Sequence, residues 1–178
     1  MSSMQHDPHE SGQRLARFAK NEQDEVFFAA LNQILRQADL PSTAAAGVDD
    51  LPILYVVGAP RCGTTLLSQL LSRHLPVGYI DHIIARFWLR PSVGIRLSQA
   101  VFGEEKRNHI SLQSKHGVTL NAWEPHEFGY FWRHWLKLDE WPTHHLSAEA
   151  LAAVNKVGLK QALEGEILAT FQTPTLFK

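Results

Sequence analysis

An apolar run, Ile53-Leu54-Tyr55-Val56-Val57, breaks into Gly58-Ala59-Pro60-Arg61-Cys62-Gly63-Thr64-Thr65 and resumes as Leu66-Leu67-Ser68-Gln69-Leu70-Leu71. This order reads as a buried strand, a glycine-bearing loop and a helix. Such a joint points several backbone N–H groups, and the positive end of the helix dipole, at one spot. A phosphate or sulfate is what that spot is built to hold.

The loop has to do this work alone. The chain has 178 residues, 44% hydrophobic and 20% charged, an ordinary composition for one domain with a real core. Its formal net charge of -1 removes any global attraction to nucleic acid or to an anionic membrane surface. The one cysteine, Cys62, has no partner for an internal disulfide, and Met1 to Lys20 is polar with no apolar signal core. A cytoplasmic location is the expectation. No apolar stretch approaches the roughly 18 residues of a spanning helix.

Along the chain, Met1 to Gln13 reads as a mobile leader. From Asp24, residues Val26, Phe27, Ala30, Leu31, Ile34 and Leu35 fall at helical spacing on one face, and this amphipathic helix is expected to end near Leu40-Pro41. Ser42 to Asp50 is a linker, so residues 1–47 (leader and helix) stand apart from 48–178. The helix after the loop is expected from Thr64 to His74, stopping before Pro76. Val77 to Ile80 reads as a short extended piece, Asp81 to Phe102 as a helix interrupted at Pro91, and Gly103 to Asn121 as a surface loop. Pro125 opens a helix that sets Phe128, Phe131, Trp132 and Trp135 on one face, more in the manner of core than of a ligand platform. A last helix is expected from the cap Ser147 to Phe171, followed by Pro174 to Lys178 as a second strand. The expected fold class is α/β, a parallel sheet with flanking helices that is cut short after its second strand.

A nucleotide-triphosphate P-loop places a lysine just before its Ser/Thr, and here that position is Thr64. The positive charge sits instead at Arg61, whose planar fork of donors suits an oxyanion. A cysteine phosphatase loop is excluded, because Ser68 stands where its arginine would follow Cys62. The segment Pro60-Arg61-Cys62-Gly63-Thr64-Thr65 resembles the loop Pro-(Lys/Arg)-Ser-Gly-Thr-Thr of the sulfotransferases that use 3′-phosphoadenosine-5′-phosphosulfate, with Leu66-Leu67 continuing as in the bacterial and tyrosylprotein-like branches. The resemblance implies a P-loop-like sulfotransferase fold. It also implies that Pro60, Arg61, Cys62, Gly63, Thr64 and Thr65 form the cofactor-binding loop. Backbone N–H groups around Gly63 and the Thr64 and Thr65 hydroxyls would grip the 5′-phosphate, with Arg61 at the sulfuryl group. Cys62 stands where the family has serine. Lys178 falls where the family's second lysine-bearing strand ends.

Sulfuryl transfer needs a base at the acceptor, and the resemblance implies one shortly after the first helix, at Asp81 or His82. Asp81 requires burial to raise its pKa, whereas His82 is poised near neutrality; a helix cap and an exposed histidine are the structural alternatives. Glu124, His126 and Glu127 suit either an acceptor pocket or capping and solvation. Ten histidines raise the question of metal, but adjacent His144-His145 and the His126 to His134 spacing give no ligand set, so none is expected. The expected function is transfer of a sulfuryl group to the hydroxyl or amine of a small-molecule acceptor, without nucleic acid or membrane. The alternatives are a non-catalytic anion- or nucleotide-binding fragment and a P-loop phosphotransferase.

Overall fold

The computed structural model describes residues 21–40, 50–59, 61–115, 117–138 and 147–178. The leader, most of the linker, Pro60 and His144-His145 lie outside the described residues. Chain order is α1 (Glu22–Gln37), β1 (Ile53–Tyr55), α2 (Thr64–His74), β2 (Gly78–Tyr79), a 3-10 turn at Ile84–Arg86, α3 (Pro91–Phe102), and a second 3-10 turn at Glu104–His109. There follow α4 (Gly129–Leu136), α5 (Ala148–Ala153), α6 (Lys156–Lys160), a π-helical stretch Gln161–Leu168, α7 (Ala169–Phe171) and β3 (Thr175–Phe177).

Among the described residues the sheet has three parallel strands in the order β1-β3-β2. The short extended piece at 77–80 therefore supplies an edge strand, and the C-terminal strand, expected as a stub, is central. Thr175, Leu176 and Phe177 pair with Ile53, Leu54 and Tyr55 on one side, and Thr175 and Leu176 with Gly78 and Tyr79 on the other. Strand alternation sends Leu176 and Phe177 into different cores. Leu176 joins Val56, Val77, Tyr79 and Ile110, while Phe177 joins Ile80, Ile84, Ile95, Phe128, Phe131 and Ile167. Both faces are covered, as parallel strands require. The run 53–57 is expected as a buried strand, yet Tyr55 is 51% exposed and Val57, past the end of β1, 84%, because among the described residues β1 is an edge.

Helices depart from the sequence expectation where local polar groups intervene. On α1 the face that docks is Glu25, Phe28, Asn32 and Leu35, while Val26, Phe27 and Ile34 point outward. Buried Asn32 decides this. Its amide donates to the carbonyls of Phe28 (2.8 Å) and Arg86 (2.7 Å), and its oxygen accepts from Leu89 N–H (2.9 Å). The expected 81–102 helix is a 3-10 turn followed by α3, with Pro91 at the first helical position, where a missing N–H costs nothing. Pro125 is not the start of α4. It bridges Asp81, and the helix opens four residues later. The aromatic stripe is core: Phe128 and Phe131 stack at 4.6 Å, and Trp132 meets Phe131 edge-on at 5.0 Å. The expected 147–171 helix stops at Val154, whose backbone is extended, and restarts at Asn155, whose side chain caps Gly158 N–H (2.9 Å).

Candidate functional site

The loop after β1 is shaped by close approaches. A Cβ on Gly58 would stand 2.5 Å from Cys62 Sγ and 3.0 Å from Thr64 Cγ2, so a larger residue there would push the loop's side chains aside. Cys62 N–H donates to Ala59 O at 3.3 Å. Arg61 (φ 68°) and Gly63 (φ 90°) are both left-handed, and Gly63 caps α2 without a side-chain bond to the first turn. The N–H groups opening α2 are therefore not taken by a cap, and a helix of this length carries a usable dipole. Arg61 is exposed, with no ion-pair partner among the described residues. Thr64 is half-buried and opens the helix.

Thr65 is buried, and its hydroxyl is engaged within the chain. It donates to Gly117 O (3.1 Å) and accepts from Lys178 Nζ (2.7 Å). Lys178 follows β3, the central strand, so its ammonium comes to the same end of the sheet as the loop after β1. Its other partners are Glu127 Oε1 at 2.8 Å and Gly117 O at 3.3 Å. Gly117 belongs to a strap rather than a free surface loop. Gln69 donates to Gln113 O (2.9 Å) and Arg73 to Ile110 O (2.9 Å), which with the Thr65 bond ties Ile110, Gln113 and Gly117 across the polar face of α2.

Beside Lys178 lies a recess of about 50 Å³, room for one or two water-sized groups, lined by His82, Gly117, Val118, Thr119, Pro125, His126 and Glu127. Of the two expected bases only His82 reaches it. The Thr119 hydroxyl donates to Pro125 O (2.9 Å), so its oxygen accepts from His82 Nε2–H at 2.7 Å. This network assigns the proton of neutral His82 to Nε2 and leaves Nδ1 as an acceptor. Burial pushes His82 below the ordinary histidine range, against the opposing pull of the Asp81 and Glu124 carboxylates. His126 stands edge-on to it at 4.8 Å.

Asp81 serves the fold instead. Fully buried, it accepts from Ile84 N–H (2.9 Å) and Ser98 Oγ and pairs with Lys106 Nζ at 2.8 Å. The same ammonium lies 4.9 Å from the centre of the Tyr79 ring. Glu124, expected beside His126 and Glu127, is a knot that pins the loop: it accepts from Ser111 N–H (2.9 Å), Ser111 Oγ (2.5 Å), Leu120 N–H (3.1 Å) and Asn121 Nδ2 (3.2 Å). Burial raises its pKa, and these bonds outweigh burial, so the net shift is downward.

Gly117, Val118 and Thr119 were not marked by the sequence, since nothing in a polar loop says which helix it will cross. Among the described residues, no group of three or more His, Cys, Asp or Glu is placed to hold a metal ion, and no helix is long and apolar enough to cross a membrane. No protein-family model, curated protein or solved structure matches this chain.

Proposed function

We propose that this chain carries the donor site of a sulfotransferase, which moves a sulfuryl group from 3′-phosphoadenosine-5′-phosphosulfate to the hydroxyl or amine of a small acceptor. The observation that carries the reading is the meeting of Lys178 Nζ with Thr65 Oγ1 at 2.7 Å, which joins a cation from the end of β3 to the first turn of α2. An uncapped helix start, a buried ammonium and the exposed guanidinium of Arg61, which has no ion-pair partner among the described residues, form a donor set for an anion with several oxygens. Gly63 fits the same use, because no atom lies within 4 Å of where its Cβ would be.

When bound, the donor supplies the sulfuryl group, and the chain supplies positioning, charge and a proton acceptor. The N–H groups of Gly63, Thr64 and Thr65 orient the 5′-phosphate. Lys178 and Arg61 balance the negative charge that grows as the sulfur–oxygen bond to phosphate breaks and the bond to the acceptor forms. His82 Nδ1 takes the acceptor's proton, and Thr119 holds the tautomer that makes this possible. The test is transfer of labelled sulfate from the donor to a panel of alcohols, phenols and amines, alongside binding of adenosine 3′,5′-bisphosphate. Binding with transfer is expected. Binding without transfer selects the non-catalytic alternative, and failure of both overturns the site.

A further inference from the structure

Lys178 has three donors and three acceptors: Thr65 Oγ1 at 2.7 Å, Glu127 Oε1 at 2.8 Å and Gly117 O at 3.3 Å. Its side chain is 8% exposed, so the ammonium sits mostly out of water and requires a nearby negative charge. Thr65 and Gly117 are neutral and held by α2 and the strap. Glu127 alone carries charge, and its side chain is 66% exposed. The carboxylate is the one partner of the three that can swing into solvent, because it is already largely hydrated while the other two are fixed in the fold.

We propose that Glu127 is a built-in stand-in for the ligand: its carboxylate latches Lys178 when no anion is bound and gives way when one arrives, which lowers the affinity of the site for small anions. This rests on the reading of the α2 start and Lys178 as the donor site. The exchange replaces one charge-assisted bond on Nζ with another, so Lys178 is never left without a counter-charge. A weakly held anion such as inorganic sulfate has only that one bond to gain, while a larger ligand adds contacts along the loop. The latch lowers both affinities by the same factor, so a bare anion, with fewer contacts to spare, is the one left without useful binding.

The test is calorimetric titration of the full chain with adenosine 3′,5′-bisphosphate and, separately, with inorganic sulfate. It uses the unsubstituted protein, Glu127→Gln, Lys178→Met and the double variant. Glu127→Gln is expected to bind both probes about two- to fivefold tighter, the weight of one exposed ion pair. Lys178→Met is expected to bind at least about tenfold more weakly. In the Lys178→Met background, Glu127→Gln is expected to change nothing. An unchanged or weaker Glu127→Gln overturns the latch, and so does the same gain without Lys178, which would mean general repulsion. Should the bisphosphate and sulfate bind to none of the four proteins, the donor site falls and the latch with it. Binding that ignores Glu127 removes the latch alone. If Lys178→Met does not fold, a crystal structure of the unsubstituted protein with the bisphosphate decides. Glu127 Oε1 is then expected beyond about 4 Å from Lys178 Nζ, outside ion-pair range, and a contact kept at 2.8 Å overturns the proposal.

Discussion

Arg61 stands left-handed at φ 68°, a conformation that side chains seldom take, and it presents its charge to solvent beside the start of α2. A guanidinium placed to meet charge that develops during transfer should act on turnover more than on donor affinity. Arg61→Ala is expected to cost about 2–4 kcal/mol in kcat with donor binding little changed. Steady-state kinetics together with donor titration checks it, and an unchanged kcat removes the role. His82 gives a test through pH. Its folded pKa is depressed below the ordinary 6.5, so the folded chain favours the neutral ring and the unfolded chain takes up the proton first. Its contribution to stability is present above about pH 6.5 and is lost as pH falls from there through the folded value. Urea midpoints measured between pH 7 and 5 should fall with acid, and the slope should shrink in His82→Gln. Lys106 has a structural test. Lys106→Met leaves the fully buried Asp81 carboxylate without its ion pair and is expected to cost about 3–5 kcal/mol in denaturant unfolding.

At the scale of elements, α2 is built against the usual pattern. Thr65, Ser68, Gln69 and Ser72 are buried, while Leu66, Leu67 and Leu70 are exposed. The strap accounts for two of the four, since Gly117 O and Gln113 O accept from Thr65 and Gln69, while the Ser68 and Ser72 hydroxyls are buried without a hydrogen-bond partner among the described residues. Thr65→Val leaves Lys178 and Gly117 O each short of a partner and is expected to cost about 1–3 kcal/mol. Amide exchange should show the loss first at residues 113–119. The bounds of α2, Thr64 to His74, were legible because Gly63, the leucines and Pro76 are all local signals. So was the loop itself. The pairing of β2 with β3 was not, because two residues at 78–79 meet a strand almost a hundred positions later and carry no period of their own. The inward face of α1 was misread for a related reason: hydrophobic spacing favours Val26, Phe27 and Ile34, but one asparagine with three bonds to fixed partners outweighs them. Gly63, Thr64, Thr65 and His82 were legible as candidates in the sequence. Their ties to Thr119 and Gly117 were not, since long-range hydrogen bonds leave no trace in a polar loop.

For the whole molecule, exposed apolar side chains stand on several elements, β1 and α2 among them. Tyr55, Val57, Leu66 and Leu67 are each about half exposed or more, and among the described residues β1 has a partner on one side only. An apolar patch beside an open strand edge favours self-association. The chain is expected to bind a hydrophobic dye and to grow in apparent mass with concentration, and Leu66→Gln with Leu67→Gln should reduce both in light scattering. The loop after β1 and Lys178, which directly follows β3, lie at the carboxyl ends of adjacent parallel strands, the end at which open α/β sheets in general take their ligands. The most direct measurement is a titration of the nitrogen-15 labelled chain with adenosine 3′,5′-bisphosphate, followed amide by amide. Saturable shifts centred on Gly63, Thr64, Thr65 and Lys178 are expected. Shifts confined elsewhere, or none at millimolar ligand, would contradict an anion site at the start of α2.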